Sequence, residues 1–282
     1  MNENIAILTD STSDLPLDLI QDKEIEFLPL KINYSQQQYK DRVEIKPQEI
    51  YDQLDTEIPT TSTPAPQELK KKLLALKNKG ITHVLAIHIS SGLSGTYNMV
   101  KMISEQVTGL TVEAIDSKAL SMGLGRLVLY AAKLLKTGID FTTLVNKVTA
   151  KIDDIEVLFV LKTLKYLKKG GRIGKVQGTI GSLLNIKPII SIDESGEYYT
   201  YKKSRGRKRS LKKLYQIAHK KIATGPCQVD VMHGNAAEEA ENLLNKFKKL
   251  ENVKETFTGQ ISPVMVVHTG PGLIGVTITK LN

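Results

Sequence analysis

The sequence lacks tryptophan and contains only one cysteine and five phenylalanines among its 282 residues. The lone Cys227 cannot form an intramolecular disulfide or a thiolate metal cluster, so we expect a reducing, cytoplasmic compartment. The scarcity of tryptophan and phenylalanine leaves few platforms on which nucleobases stack, although ten tyrosines remain. These shortages exclude a disulfide-stabilised secreted protein and weigh against a nucleic-acid binder.

Uninterrupted hydrophobic runs are also missing. The longest uncharged stretch, residues 256–279, has the length of a membrane span, but Pro263, His268 and the turn at 270–272 divide it into short pieces. Residues 1–10 contain no basic segment, unlike a secretory signal. With 41% hydrophobic residues and no low-complexity tract, we expect an ordered, soluble protein.

Positive charge is concentrated in one segment. The chain has 39 lysines and arginines against 30 acidic residues, a net charge of +9. Residues 160–225 contain 17 basic and three acidic side chains, whereas the rest of the chain is slightly acidic. This segment is either a solvated face or a surface for an acidic partner such as a protein, a membrane or a nucleic acid.

The first half alternates short β-branched runs with helical patterns, which predicts a parallel sheet with helices on both faces. The predicted strands are 5–9, 26–33, 81–89 and 110–115. The predicted helices are 47–55, 66–79, 95–107, 120–136 and 141–152.

The second half predicts a mixed sheet with helices. Its predicted strands are 156–161, 228–232, 264–268 and 276–281, with a hairpin formed by 188–192 and 198–202. Its predicted helices are 207–223 and 236–250. We therefore expect an α/β protein with a parallel domain over residues 1–155 and a mixed-sheet domain over residues 156–282.

Polar clusters follow three predicted strands at the edge where open parallel sheets bind ligands. Asp10, Ser13 and Asp116 are interpreted as helix caps or loop braces, because short polar side chains favour those places. The cluster at 90–96 differs, since its two glycines let backbone N–H groups approach a ligand just before a helix begins. This cluster predicts an anion site.

A second hydroxyl cluster occupies residues 60–63, between two prolines. Its side chains either cap the following helix or present donors to a ligand, and the sequence leaves both interpretations open.

Among the five histidines, His268 is the best candidate for function, because it precedes the glycine-rich turn at 270–272. His83 and His88 point to opposite faces of one predicted strand and cannot bind the same metal ion.

Residues 270–275 match a dinucleotide-binding fingerprint, but a predicted strand rather than a helix follows, which excludes that site.

Seven short motifs resemble those of the DegV family, the fatty-acid-binding subunits of bacterial fatty acid kinase. They occur in the family's order, cover nearly the whole chain and are specific as a set: 9–14, 61–64, 90–98, 115–117, 170–175, 186–188 and 268–272. The resemblance implies two α/β domains with a cavity between them that buries one long-chain fatty acid.

The resemblance also implies a role for individual residues. The residues expected to bind the carboxylate are Thr61, Ser62, Ser94, Gly95, His268 and Thr269. The residues expected to dock a partner at the mouth of the pocket are Arg172, Arg205 and Arg207. A separate ATP-dependent kinase subunit is implied to phosphorylate the bound acid for phospholipid synthesis, so this chain is expected to carry no catalytic residue, metal or cofactor.

The two ends of such a ligand contribute different amounts to the free energy of binding. Burying about 14 methylene groups at about 0.8 kcal/mol each contributes roughly 11 kcal/mol, whereas a hydrogen bond to a charged group contributes about 1.5–3 kcal/mol. We therefore expect the tail to set affinity and neutral donors to hold the carboxylate. On this basis Arg172→Ala is expected to spare ligand binding and to slow phosphorylation.

Three classes of function compete. A lipid carrier follows from the resemblance, and transient contact with a membrane surface is compatible with it. An esterase built on Ser94 and His268 lacks an acidic third member, and the glycine spacing around Ser94 departs from the hydrolase elbow. A nucleic-acid binder is suggested only by the isoelectric point near 9.3. We prefer the carrier.

Overall fold

The computed structural model describes residues 3–179 and 186–281 of the chain. The first predicted domain begins at residue 1 and the second ends at residue 282, and both of these residues lie outside the described part of the chain. Within the described part of the chain, no helix is both long and apolar enough to cross a membrane.

Short strands and helices alternate along the chain. The strands are β1 (Ile5–Asp10), β2 (Glu26–Leu28), β3 (Lys31–Asn33), β4 (Gln38–Lys40), β5 (Thr60–Ser62), β6 (His83–His88), β7 (Thr111–Asp116), β8 (Ile155–Val160), β9 (Ile189–Ile192), β10 (Tyr198–Lys202), β11 (Cys227–His233), β12 (Val253–Gln260) and β13 (Ile274–Lys280). The α-helices are α1 (Leu17–Asp22), α2 (Pro47–Gln53), α3 (Pro66–Asn78), α4 (Thr96–Ser104), α5 (Met122–Leu135), α6 (Phe141–Lys151), α7 (Lys165–Lys169), α8 (Arg207–Ile222), α9 (Ala237–Phe247) and α10 (Pro263–Thr269).

The first sheet has the order β2-β1-β6-β7 and all its strands are parallel, as predicted. One face packs against α3 and α4 through buried side chains that include Leu73 and Val100. The opposite face packs against α5 through Leu124 and Leu127. Because both faces are covered, the strand ends are the places where polar residues reach a ligand.

The second sheet has the order β10-β9-β8-β13-β11-β12. Only β11 and β12 pair in parallel, and the predicted hairpin is formed by β9 and β10, so the mixed sheet is confirmed. Helices α8 and α9 cover its outer face, where Leu214 and Phe247 are fully buried. Its inner face presents Val157, Phe159 and Met232 to the core shared with the first half of the chain.

The predicted single strand at 26–33 is wrong, because the chain changes sheets within it. Residues before Pro29 form β2 beside β1, whereas those after it form β3 in a small antiparallel sheet of order β4-β3-β5. The amide of Leu30 donates to the Ser11 hydroxyl oxygen at 3.0 Å instead of continuing a ladder. The proline and this side-chain contact end one strand and start another.

The predicted strand at 264–268 is also wrong, because these residues form helix α10. Pro263 occupies the first turn, where its fixed φ angle favours a helix and no amide is needed. Val264, Val266 and Val267 are all buried, so the apolar pattern shows no periodicity that separates helix from strand.

A buried ion pair joins α5 to the second sheet. The Arg126 guanidinium donates from Nε and Nη2 to both carboxylate oxygens of Asp230 on β11, at 2.9 and 2.6 Å. Its Nη1 also donates to Glu255 at 2.6 Å. Helix α5 therefore packs on both sheets, and the predicted boundary near residue 155 stays a prediction.

We predict that Arg126→Leu lowers the free energy of unfolding by about 3–5 kcal/mol, because it leaves the Asp230 carboxylate buried without a partner. The double variant Arg126→Leu/Asp230→Leu should recover most of this loss, since no charge is then buried alone. Urea denaturation measures both. Glu255→Gln is the control and should cost less than about 1 kcal/mol, because that side chain is 57% exposed. Equal losses in the single and double variants would contradict the argument.

Candidate functional site

Two adjoining cavities lie between the carboxyl end of the first sheet and the inner face of the second. The polar cavity has a volume of about 60 Å³, and the residues that line it include Thr12, Thr61, Ser62, Thr63, Ser94, Gly95, Arg172 and His268. The apolar cavity has a volume of about 20 Å³, and the residues that line it include Val157, Phe159, Met232, Ile261, Leu273 and Gly275.

Three residues line both cavities: Leu120, Tyr198 and Met265. They come from the loop before α5, from β10 and from α10, so the junction is built by both halves of the chain. The space therefore changes from hydroxyl-lined to hydrocarbon-lined across a few side chains. Such a space suits an elongated amphipathic ligand with one polar end.

Thr61 and His268 meet at the polar cavity. Thr61 lies opposite Ile32 where β5 pairs with β3, and its Oγ1 is 2.8 Å from Nε2 of His268 near the end of α10. Burial, together with the positive charge of Arg172, lowers the pKa of His268 to about 4. The imidazole is therefore neutral at physiological pH.

The surroundings of the two ring nitrogens indicate which one carries the proton of the neutral His268 imidazole. Nδ1 is buried and has no hydrogen-bond partner among the described residues. We assign the proton to Nε2, because a buried N–H group without a partner is costly. Nε2 then donates to Oγ1 of Thr61, and the Thr61 hydroxyl keeps its own proton for a ligand oxygen.

Ser94 lies where the loop after β6 enters α4. Its Oγ accepts a hydrogen bond from the amide of Thr96 at 3.3 Å and lies 2.9 Å from the Thr96 hydroxyl. The serine therefore braces the first turn of α4 and lines the polar cavity at the same time. Gly95 is exposed beside it, and Ser62 is exposed on β5.

The hydroxyl cluster at 60–63 does not cap the following helix. Helix α3 begins after Ala65 without a side-chain cap, whereas residues 60–62 form an edge strand. Thr61, Ser62 and Thr63 line the polar cavity instead.

The structure does not bring Thr269 to the other predicted carboxylate-binding residues. Its hydroxyl donates to the carbonyl oxygen of Met265 at 2.9 Å within α10, and it lines the apolar cavity. The helical conformation of residues 263–269 causes this difference, because consecutive residues on a helix point in different directions.

Arg172 lies on the wall of the polar cavity. Its Nε donates to the carbonyl oxygen of Leu93 at 3.2 Å, and its Nη1 donates to that of Gly170 at 2.8 Å. The two backbone carbonyls hold the guanidinium beside His268. The resemblance implies that Arg172 docks a partner. Its position on the cavity wall also places it next to any ligand bound in the polar cavity.

The other two predicted docking arginines differ from each other. Arg205 is exposed. Arg207 is paired with Glu239 on α9, with Nη2 to Oε2 at 2.6 Å and Nε to Oε1 at 3.2 Å. This ion pair ties α8 to α9, so less of the positive charge of Arg207 is available to a partner.

Two of the three predicted braces are confirmed. Asp10 accepts hydrogen bonds from the amides of Thr12 and Ile89, at 2.9 and 3.0 Å. Asp116 accepts hydrogen bonds from the amides of Ser91 and Lys118, both at 3.1 Å. The prediction for Ser13 is wrong, because its buried hydroxyl has no hydrogen-bond partner in the described part of the chain.

Two further carboxylates position helix α10, and sequence reasoning missed them. Asp14 accepts a hydrogen bond from the amide of Ser262, and Asp41 accepts one from the amide of Val264, both at 2.9 Å. Burial raises the pKa of both carboxyl groups, that of Asp41 to about 7. Residues that cap a helix from so far away in the sequence leave no local signal.

We predict that Asp41→Asn stabilises the protein at pH 8 more than at pH 5. An amide oxygen still accepts from Val264, whereas the wild-type carboxyl must ionise in a buried place beside Asp14, and Arg42 only partly compensates. Because the pKa of Asp41 is higher in the folded protein than in the unfolded chain, stability falls as the pH rises toward about 7, by up to about 1.4 kcal/mol per pH unit. Thermal denaturation at both pH values measures this, with the exposed Asp22→Asn as control. A pH-independent difference would contradict it.

The fold and the site define an α/β protein with an apolar cavity that ends at a set of hydroxyl donors. The model of the DegV family of uncharacterised proteins matches residues 4–281. The chain therefore belongs to the DegV family.

Known proteins of the family share this architecture. A DegV domain-containing protein of Clostridium acetobutylicum is 44% identical over 278 residues, which cover 99% of each chain. A fatty-acid-binding DegV family protein from Thermus thermophilus has 30% sequence identity and a TM-score of 0.92, and the match covers 99% of this chain and 100% of that one. For a fatty-acid-binding DegV family protein from Streptococcus agalactiae the identity is 31%, the TM-score is 0.91 and the coverages are 99% and 100%.

Proposed function

We propose that the protein binds a long-chain fatty acid, with its carboxylate in the polar cavity and its acyl chain in the apolar cavity. The observation that carries this proposal is that the two cavities adjoin, since Leu120, Tyr198 and Met265 line both. These side chains must move apart to admit an acyl chain. The fatty-acid-binding DegV structures of closely similar fold support it.

The donors at the polar end match a carboxylate. Thr61 has a hydroxyl proton left for a ligand once its oxygen accepts from His268, and Ser94 and Ser62 face the same cavity. Arg172 supplies a positive charge on the wall. A carboxylate leaving water needs this many partners, because an unpaired charge in an apolar pocket is costly.

The geometry disfavours the esterase. A hydrolase needs a histidine that faces the nucleophile on one nitrogen and an orienting carboxylate on the other. Here Nε2 of His268 faces Thr61 rather than Ser94, and Nδ1 has no partner among the described residues.

A nucleic-acid surface is disfavoured for a different reason, since the chain has no tryptophan and only five phenylalanines on which nucleobases could stack.

We predict that Thr61→Ala and Ser94→Ala each weaken fatty acid binding by about 10- to 100-fold, because each removes a hydrogen bond to a charged group worth about 1.5–3 kcal/mol. Isothermal titration calorimetry with a long-chain fatty acid measures this. The control is Thr60→Ala, an exposed neighbour on β5 that lines neither cavity. Unchanged affinity in both variants would contradict the placement of the carboxylate.

The protein is further proposed to present the bound acid to a separate ATP-dependent kinase subunit, which forms an acyl phosphate for phospholipid synthesis. Exposed Ser62 and Gly95 mark the side of the polar cavity that a partner reaches, and Arg172 lies on its wall. The sequence contains no Gly-x4-Gly-Lys-Ser/Thr loop, which fits a division of labour between two proteins.

The position of Arg172 changes the expected effect of its removal. A guanidinium beside the carboxylate contributes to binding, and it also stabilises the greater negative charge of an acyl phosphate. We predict that Arg172→Met weakens fatty acid binding by no more than about tenfold, an order of 1.4 kcal/mol, and slows phosphorylation at saturating fatty acid by a larger factor.

Kinase assays with the purified partner subunit measure the rate, and calorimetry measures binding. Arg207→Met is the control, because Glu239 already pairs with that side chain. Wild-type phosphorylation by the Arg172 variant would contradict the assignment.

A further inference from the structure

A glycine in the middle of the second sheet has no structural reason to be a glycine. Gly275 lies on β13, between Phe159 of β8 and Met232 of β11 in the strand register. Glycine weakens a central strand, because it has no side chain to pack and loses more conformational freedom on folding than other residues.

Neither the backbone nor the neighbouring atoms require this glycine. Gly275 is absent from the residues with positive φ, so its backbone conformation does not require glycine. A Cβ atom built on it lies 3.7 Å from its nearest neighbour, a methyl group of Leu273, which is ordinary van der Waals contact. Gly270 is different, because a Cβ there would lie 2.2 Å from the ring of Tyr166.

The space in front of Gly275 belongs to the apolar cavity. Phe159, Met232 and Gly275 are register neighbours, and all three line that cavity. A side chain at residue 275 would project from the inner face of the sheet into this space. The missing side chain therefore keeps part of the cavity open.

We propose that Gly275 determines which acyl chains the protein accepts, because the methylene groups of a long chain occupy the space that a side chain at residue 275 would fill. This inference rests on the proposed function and adds the specificity of fatty acid binding for acyl chain length. Long saturated and unsaturated chains reach β13, whereas short chains end before it.

The test is the series Gly275→Ala, Gly275→Val and Gly275→Leu, titrated by calorimetry with fatty acids of 10, 14 and 18 carbons. Affinity for the longest acid should fall progressively, by at least tenfold in the valine variant, while affinity for the shortest changes less than threefold. The ligand-free alanine and valine variants should unfold at the same or a higher temperature than the wild type, because glycine loses more conformational freedom on folding than either residue. The alanine variant keeps the test informative if leucine prevents folding.

The control is Gly225→Val, at a loop glycine outside both cavities where a Cβ meets nothing within 4 Å. It should leave the chain-length profile unchanged. A Gly275→Val variant that binds all three acids like the wild type would overturn the role of Gly275 and leave the proposed function standing. A wild-type protein that binds no fatty acid would overturn both.

Discussion

Two buried carboxylates hold the short helix on which the whole site depends. Asp14 and Asp41 come from the loops of the first half of the chain, and they accept hydrogen bonds from the amides at the start of α10. That helix carries Met265 at the junction of the cavities and His268 at the polar end. Carboxyl oxygens at a helix N-terminus satisfy amides that have no partner within the helix, so they fix its position.

In the proposed complex, the apolar cavity sets the affinity for the ligand and the polar cavity sets its orientation. Apolar side chains of the second sheet and of α10 line the cavity proposed for the hydrocarbon chain, whose burial contributes the larger free energy. The polar end then selects which way the ligand enters. Neutral His268 directs the Thr61 hydroxyl instead of adding a second buried charge beside Arg172, and the positive guanidinium helps keep that imidazole neutral.

Local sequence patterns predicted those strands and helices whose type is determined by their own residues and by the turns beside them. The parallel strands β1, β6 and β7 and the hairpin of β9 and β10 alternate with helices or turn residues, so their type could be read directly. Helix α10 could not, because its valines are buried all round and its caps lie 223 and 248 residues earlier in the chain. The resemblance assigned Thr269 to the carboxylate, whereas the structure places it on the wall of the apolar cavity. The resemblance named Thr61, Ser94 and His268 but not their contacts.

A crystal structure of the protein soaked with an 18-carbon fatty acid tests the central claim most directly. The account predicts carboxylate density within hydrogen-bond distance of the Thr61 and Ser94 hydroxyls, with the acyl chain passing Met265 into the apolar cavity. Density for a reversed chain, with the carboxylate deep beside Phe159 and Met232, would contradict the account, as would a ligand bound only on the outer surface.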